Sequence, residues 1–208
     1  MTVTTLLAAS AAACLLGGAR ACTNMLVSAG ATTDGSTHIA YNADSGGLYG
    51  SLGHYPAADH AFGSVRDIWD WDGSFYLGSI PEVPHTFNVV GNTNEHGLTI
   101  GETTFGGRGE LNAAHSGGLM DYGSLIWVTL QRAKTAREAI STIDSLLSTY
   151  GYASDGESFS IGDPKEAWCA RPQPTPNLPH QLPLESSTYP CRKGANIRAP
   201  APCASRHM

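Results

Sequence analysis

The hydrophobic period of this chain switches from strand-like to helical and back, and that order limits the fold more than any other feature. "TNMLVSAGATTDGSTHIAYNADSG" and "FNVVGNTNEHGLTIGETT" carry short apolar runs broken by Gly, Asn and Asp, the pattern of strands and turns. After "GGLMDYGS" the spacing changes, and Leu125, Ile126, Val128, Thr129 and Ala133 suit a helix packed on a core. "TAREAISTIDSLLSTYG" follows, with Thr135 and Glu138 at capping-box spacing and Gly151 placed to end the helix. Its apolar stripe is Ala139, Ile140, Ile143, Leu146 and Leu147. "SFSIGDPKEAW" then reads as strand, turn at Asp163-Pro164, and strand. Strands, two helices and strands again predict an α+β body with the helices on one face of a sheet.

Two local expectations follow. Asp34-Gly35-Ser36 predicts a tight D-G hairpin turn in the first strand pair. Residues 45–86, rich in Gly, aromatics and Asp and including "DIWDWDG", show little periodicity and predict a long loop region.

Charge divides the chain. Residues 22–168 hold 6 basic and 17 acidic side chains, whereas residues 169–208 hold 5 basic and 1 acidic. An acidic body argues against a nucleic-acid partner, since phosphate binding needs a concentrated basic surface. The last forty residues also hold 8 of the 12 prolines and a single glycine, with no strand or helix period. Such a segment cannot bury enough apolar surface to offset its ordering entropy, so residues 169–208 are expected to be a disordered tail.

The cysteines divide the same way: Cys14 precedes the body, Cys169, Cys191 and Cys203 follow it, and Cys22 alone belongs to it. The body therefore relies on its apolar core rather than on disulfides. "VTTLLAASAAACLLGG" is an apolar run of signal-peptide length, too short to span a bilayer. Ala19-Arg20-Ala21 completes the A-x-A pattern of a cleavage site, so residues 1–21 predict a secretory signal and a secreted or periplasmic product with no membrane attachment after the cut. Lipoprotein processing is the alternative that also leaves an N-terminal cysteine.

Cleavage after Ala21 would put a thiol and a free α-amine on one residue. The amine titrates at about 7.7–8.0, so near neutrality it can take the thiol proton during attack. One extra residue would turn that base into a neutral amide.

"CTNMLVSAGATTDGSTHIAYNADSG" followed by "NEHGLTIGETTFGG" resembles the PepD-type cysteine dipeptidases of the N-terminal-nucleophile (Ntn) hydrolases, over residues 22–168. The resemblance implies an αββα sandwich and dipeptide hydrolysis through an acyl-enzyme, with a small peptide as substrate and no cofactor. It gives Cys22 as nucleophile and Asp44 as an acidic residue beside its amine. Tyr41 stands where acylase relatives carry an arginine, so no guanidinium role passes to it. Thr104 stands where they carry an asparagine, and Asn94 in "NEHG" reads as structural. Members of the family are longer, and their sheet continues past "SIGDPKEAW". Residues 22–168 thus correspond to the N-terminal part of such a domain, and residues 169–208 read as a frameshifted or truncated end.

Other signals are weaker. The histidines lack metal-ligand spacing, so no metal site is expected. "GETTFGGRG" lacks the G-K-[ST] ending of a phosphate loop. The competing functional readings are a related acyl-amide amidase and a non-catalytic product.

Overall fold

The computed structural model describes residues 22–43, 50–71, 73–105, 117–154, 156–171 and 189–190. Residues 1–21, expected to be a leader, Asp44 and most of the expected tail lie outside these residues. The described part is α+β.

The chain opens with β1 (Thr23–Val27) and β2 (His38–Asn42), antiparallel with Thr23 opposite Asn42 and Val27 opposite His38. Residues 28–37 join them and include a 3-10 turn at Ala29–Ala31. The hairpin is as expected; the tight turn is not. Asp34 Oδ1 accepts from the Ser36 amide at 3.0 Å and from its hydroxyl at 2.6 Å, while Gly35 takes φ 75°. The D-G signal thus makes a local aspartate-capped turn inside a longer loop.

The expected loop region is also corrected. It contains β3 (His54–Tyr55), β4 (Ala58–Asp59), β5 (Val65–Trp69), β6 (Tyr76–Pro81) and β7 (His85–Thr86). Periodicity missed the β5–β6 hairpin because each strand buries one large apolar residue fully, Ile68 and Ile80, while Val65, Trp69 and Tyr76 face solvent. Exposed aromatics erase the apolar/polar alternation. Glu82 ties this hairpin inward, with Arg132 Nη2 at 2.9 Å and Arg66 Nη1 at 3.7 Å from its two carboxylate oxygens.

Then come β8 (Val89–Val90), β9 (Thr93–Asn94), β10 (Thr99–Phe105), α1 (Tyr122–Leu130), α2 (Ala136–Tyr150), β11 (Gly156–Gly162), β12 (Ala167–Ala170) and β13 (Tyr189–Pro190). Among the described residues the main sheet has the order β13-β12-β11-β10-β9-β8-β3. The β12 strand runs past the expected body–tail junction at residues 168 and 169, and β13 pairs with it. The reason lies in packing: Ala170 pairs with Phe159, and both are fully buried.

Both helices form where their sequences predict. Asp121 caps α1, accepting from the Ser124 amide at 2.9 Å and the Gly123 amide at 3.2 Å. The α1 helix is apolar nearly all round and correspondingly central. Thr135 caps α2 through the Glu138 amide at 3.2 Å, and Glu138 Oε2 accepts from the Lys134 amide at 2.8 Å. Gly151, φ 71°, ends it and donates to Leu147 O at 2.9 Å.

Strand alternation sorts the main sheet into two faces. Ile100, Phe159, Ile161, Trp168 and Ala170 join the core cluster with Leu125, Ile143 and Leu147 of the helices. The opposite face carries Gly101, Ser160 and Gly162, and the β1–β2 hairpin packs there. The order of layers is helices, main sheet, hairpin.

Candidate active site

Cys22 directly precedes β1 and is partly buried, with a free thiol. Exposure alternates along this strand. Cys22, Asn24 and Leu26 are partly buried, whereas Thr23 and Met25 are exposed. The cysteine therefore shares the inward-facing side of the hairpin. Asn24 Nδ2 donates to Ser160 Oγ at 2.9 Å and pins that side to β11. Two glycines let the layers close: β-carbons at Gly101 and Gly162 would lie 3.1 Å from Tyr41 Cβ and 2.8 Å from Ile39 Cγ1.

Tyr41 stands opposite Asn24 in the hairpin register. Its hydroxyl donates to Glu102 Oε1. Thr104 Oγ lies 3.2 Å from Glu102 Oε2 and 3.0 Å from Glu157 Oε2. Glu157 Oε1 accepts from the Ser158 amide at 3.2 Å. Glu102 is 3% exposed and Glu157 0%. Neither carboxylate forms an ion pair with Lys, Arg or His among the described residues.

Burial, then the hydrogen bond and repulsion from Glu102, push the Glu157 carboxyl up to about 9. The Tyr41 phenol is raised by its own burial and then by Glu102, with a smaller contribution from Cys22. Tyr122, the first residue of α1, is raised by burial and then by the charges of Glu102, Glu157, Asp121 and Cys22. The two tyrosines therefore lie between Cys22 on one side and the glutamates on the other, where hairpin, sheet and helix meet. Trp71 stacks on Tyr122 with centroids 6.2 Å apart and bounds this region. Among the described residues, no group of three His, Cys, Asp or Glu side chains could hold a metal ion.

Residues 50–171 match the model of peptidase family C69. The chain belongs to peptidase family C69. It is accordingly a hydrolase of the cysteine peptidase class. No curated protein matches the chain closely enough to supply a relative. The family C69 match includes Glu102, Thr104, Tyr122 and Glu157, whereas Cys22 and Tyr41 precede it.

Of the residues singled out in the sequence of this family C69 chain, Cys22 lies in the cluster, and Thr104 bridges its two carboxyl groups. Asp44 is outside the described residues. Asn94 has a structural role, donating from Nδ2 to Leu130 O at 2.8 Å and Ala133 O at 2.7 Å while Oδ1 accepts from the His96 and Leu98 amides. Sequence reasoning missed Glu102, Glu157 and Tyr122. A signal for Glu157 existed: it alternates with Phe159 and Ile161, which puts a charge on the buried side of an apolar strand.

Proposed function

We propose that this family C69 chain hydrolyses dipeptides with Cys22 as an N-terminal nucleophile, exposed by removal of residues 1–21. The observation that carries the reading is the placement of Cys22. It stands at the open end of the first strand, on the inward-facing side of the hairpin, near Tyr41 and Tyr122. Residues 22–168 are then the N-terminal part of an αββα sandwich. The succession of helices, main sheet and hairpin supplies three of its layers.

In this mechanism the α-amine of Cys22 takes the thiol proton as sulfur attacks the peptide carbonyl carbon. The tetrahedral intermediate collapses to a thioester, and the leaving amine receives the proton from the α-ammonium group. Water, deprotonated by the same amine, then releases the acyl group. Asp44 follows Asn42, the partner of Thr23, by two residues, and its proposed role is to hold the α-ammonium. Secretion or periplasmic export places the enzyme among small peptides.

Mature protein beginning at Cys22 tests the reading on a panel of dipeptides and acyl amides. Cys22→Ala is expected to reduce dipeptide turnover at least about a thousandfold, because no other group replaces the nucleophile. A form that keeps Ala21 is expected to be equally inactive. Undiminished turnover in either would overturn the mechanism, and turnover of acyl amides alone would assign the related amidase activity instead.

A further inference from the structure

The hydrogen bonds around Thr104 require a proton count. Its hydroxyl has one hydrogen, yet it contacts Glu157 Oε2 at 3.0 Å and Glu102 Oε2 at 3.2 Å. If that hydrogen goes to one carboxylate, the contact with the other is satisfied only when that group carries a proton of its own. Glu102 accepts from Tyr41 at Oε1 and faces Thr104 with Oε2, so both of its oxygens are acceptors. Glu157 receives the Ser158 amide at Oε1 and leaves Oε2 to carry the proton. Two buried carboxylates that share one hydroxyl and have no ion-pair partner among the described residues do not both stay ionised.

We infer that Glu102 and Glu157 act as one proton-sharing acid that, through Tyr41, positions Cys22. The chain of donors runs from Glu157 through the Thr104 hydroxyl to Glu102, with the Tyr41 phenol donating to the same carboxylate from the nucleophile's hairpin. One negative charge is thus held, with a fixed orientation, at the far end of the Tyr41 hydroxyl. Tyr41 is then a positioning residue. Its ring joins the hairpin layer to a carboxylate of the main sheet, and its strand neighbour is the one that Cys22 opens. Tyr122 of α1 faces both glutamates and Tyr41 of β2 faces Glu102, while Cys22 ahead of β1 and Asp121, the cap of α1, act on these tyrosines. Among the described side chains these are neutral or acidic, so deprotonating Glu157 adds charge that no Lys, Arg or His side chain among them offsets.

Glu157 binds its proton more tightly in the folded state, up to about 9, than at its ordinary value of 4.5. Its contribution to stability is fully present below 4.5 and is lost as pH rises through about 9.

The inference rests on Cys22 being the nucleophile, but its test separates the two. Infrared spectra of the wild-type protein at neutral pH should contain the carbonyl band of a buried carboxylic acid, which Glu157→Gln removes. Melting temperature should fall as pH rises from about 4.5 to about 9 in wild type and lose that fall in Glu157→Gln. Tyr41→Phe should lower kcat at least about tenfold with KM changed less than about threefold, and should slow alkylation of Cys22 by iodoacetamide, followed by peptide mapping. Absence of the acid band in wild type, or an unchanged pH profile in Glu157→Gln, would overturn the shared proton. Wild-type kcat and Cys22 alkylation in a stable Tyr41→Phe would overturn the positioning role. Loss of dipeptide hydrolysis in the wild type, with the band, the pH profile and the Tyr41-dependent alkylation all present, counts against the dipeptidase reading and supports the pair.

Discussion

Gly162 of the main sheet and Ile39 of the hairpin meet with no room for a methyl group. A β-carbon at Gly162 would sit 2.8 Å from Ile39 Cγ1 and 3.0 Å from its Cδ1. This contact sets the distance between the layer that carries Cys22 and the layer that carries the glutamates. Gly162→Ala is expected to push Ile39 outward and destabilise the fold by about 1–3 kcal/mol, the usual range for overpacking. Gly101→Ala meets Tyr41 Cβ at 3.1 Å and should cost less. Urea unfolding of the two variants checks the ranking, and a larger loss at Gly101 would contradict it.

Asp163 serves the last turn and the second helix together. Oδ1 accepts from the Lys165 and Glu166 amides at 2.7 and 3.0 Å, and Oδ2 accepts from the Ala136 amide at 2.9 Å. Asp163→Ala would leave the buried Ala136 amide without its acceptor. A loss of about 2–3 kcal/mol is expected from the missing charge-assisted bonds. Thermal melts of the variant test this, and a loss below about 0.5 kcal/mol would be incompatible with the caps described.

Asn94 donates to two buried carbonyls and accepts from two amides. Asn94→Ala should destabilise by about 2–4 kcal/mol, since four partners are abandoned in a region closed to water. Asn94→Asp is expected to be no better at neutral pH, because it points a carboxylate oxygen at the carbonyls of Leu130 and Ala133. Recovery of stability in Asn94→Asp alone would refute that orientation of the amide.

Arg137 provides a contrast. It forms a fork with Glu166 at 2.8 and 2.9 Å and lies 4.6 Å from the Trp168 ring centroid. Its side chain is 68% exposed. Arg137→Ala should therefore cost no more than about 1 kcal/mol, and part of that loss should vanish at high salt. Melting curves with and without added salt measure both effects.

Much of the body was legible because its signals are local. Thr135 with Glu138, Gly151, and Asp163-Pro164 mark boundaries through bonds that close within a few residues, and each forms where the spacing predicts. The D-G signal at Asp34 was equally local, yet it determined one turn and not the length of the loop around it. The β5–β6 hairpin was illegible because aromatic residues on its outer surface hide the alternation.

The sequence by itself determined the α+β order, the helix ends and a single cysteine at the head of the first strand. It determined no partner for that cysteine. Glu102 and Glu157 stand far apart in the chain, and only the antiparallel register of β10 with β11 puts Thr104 opposite Glu157. Only the packing of the hairpin over Gly101 brings Tyr41 to Glu102. Whether a glutamate is ionised depends on burial and on the charges around it, and those arise when the layers close.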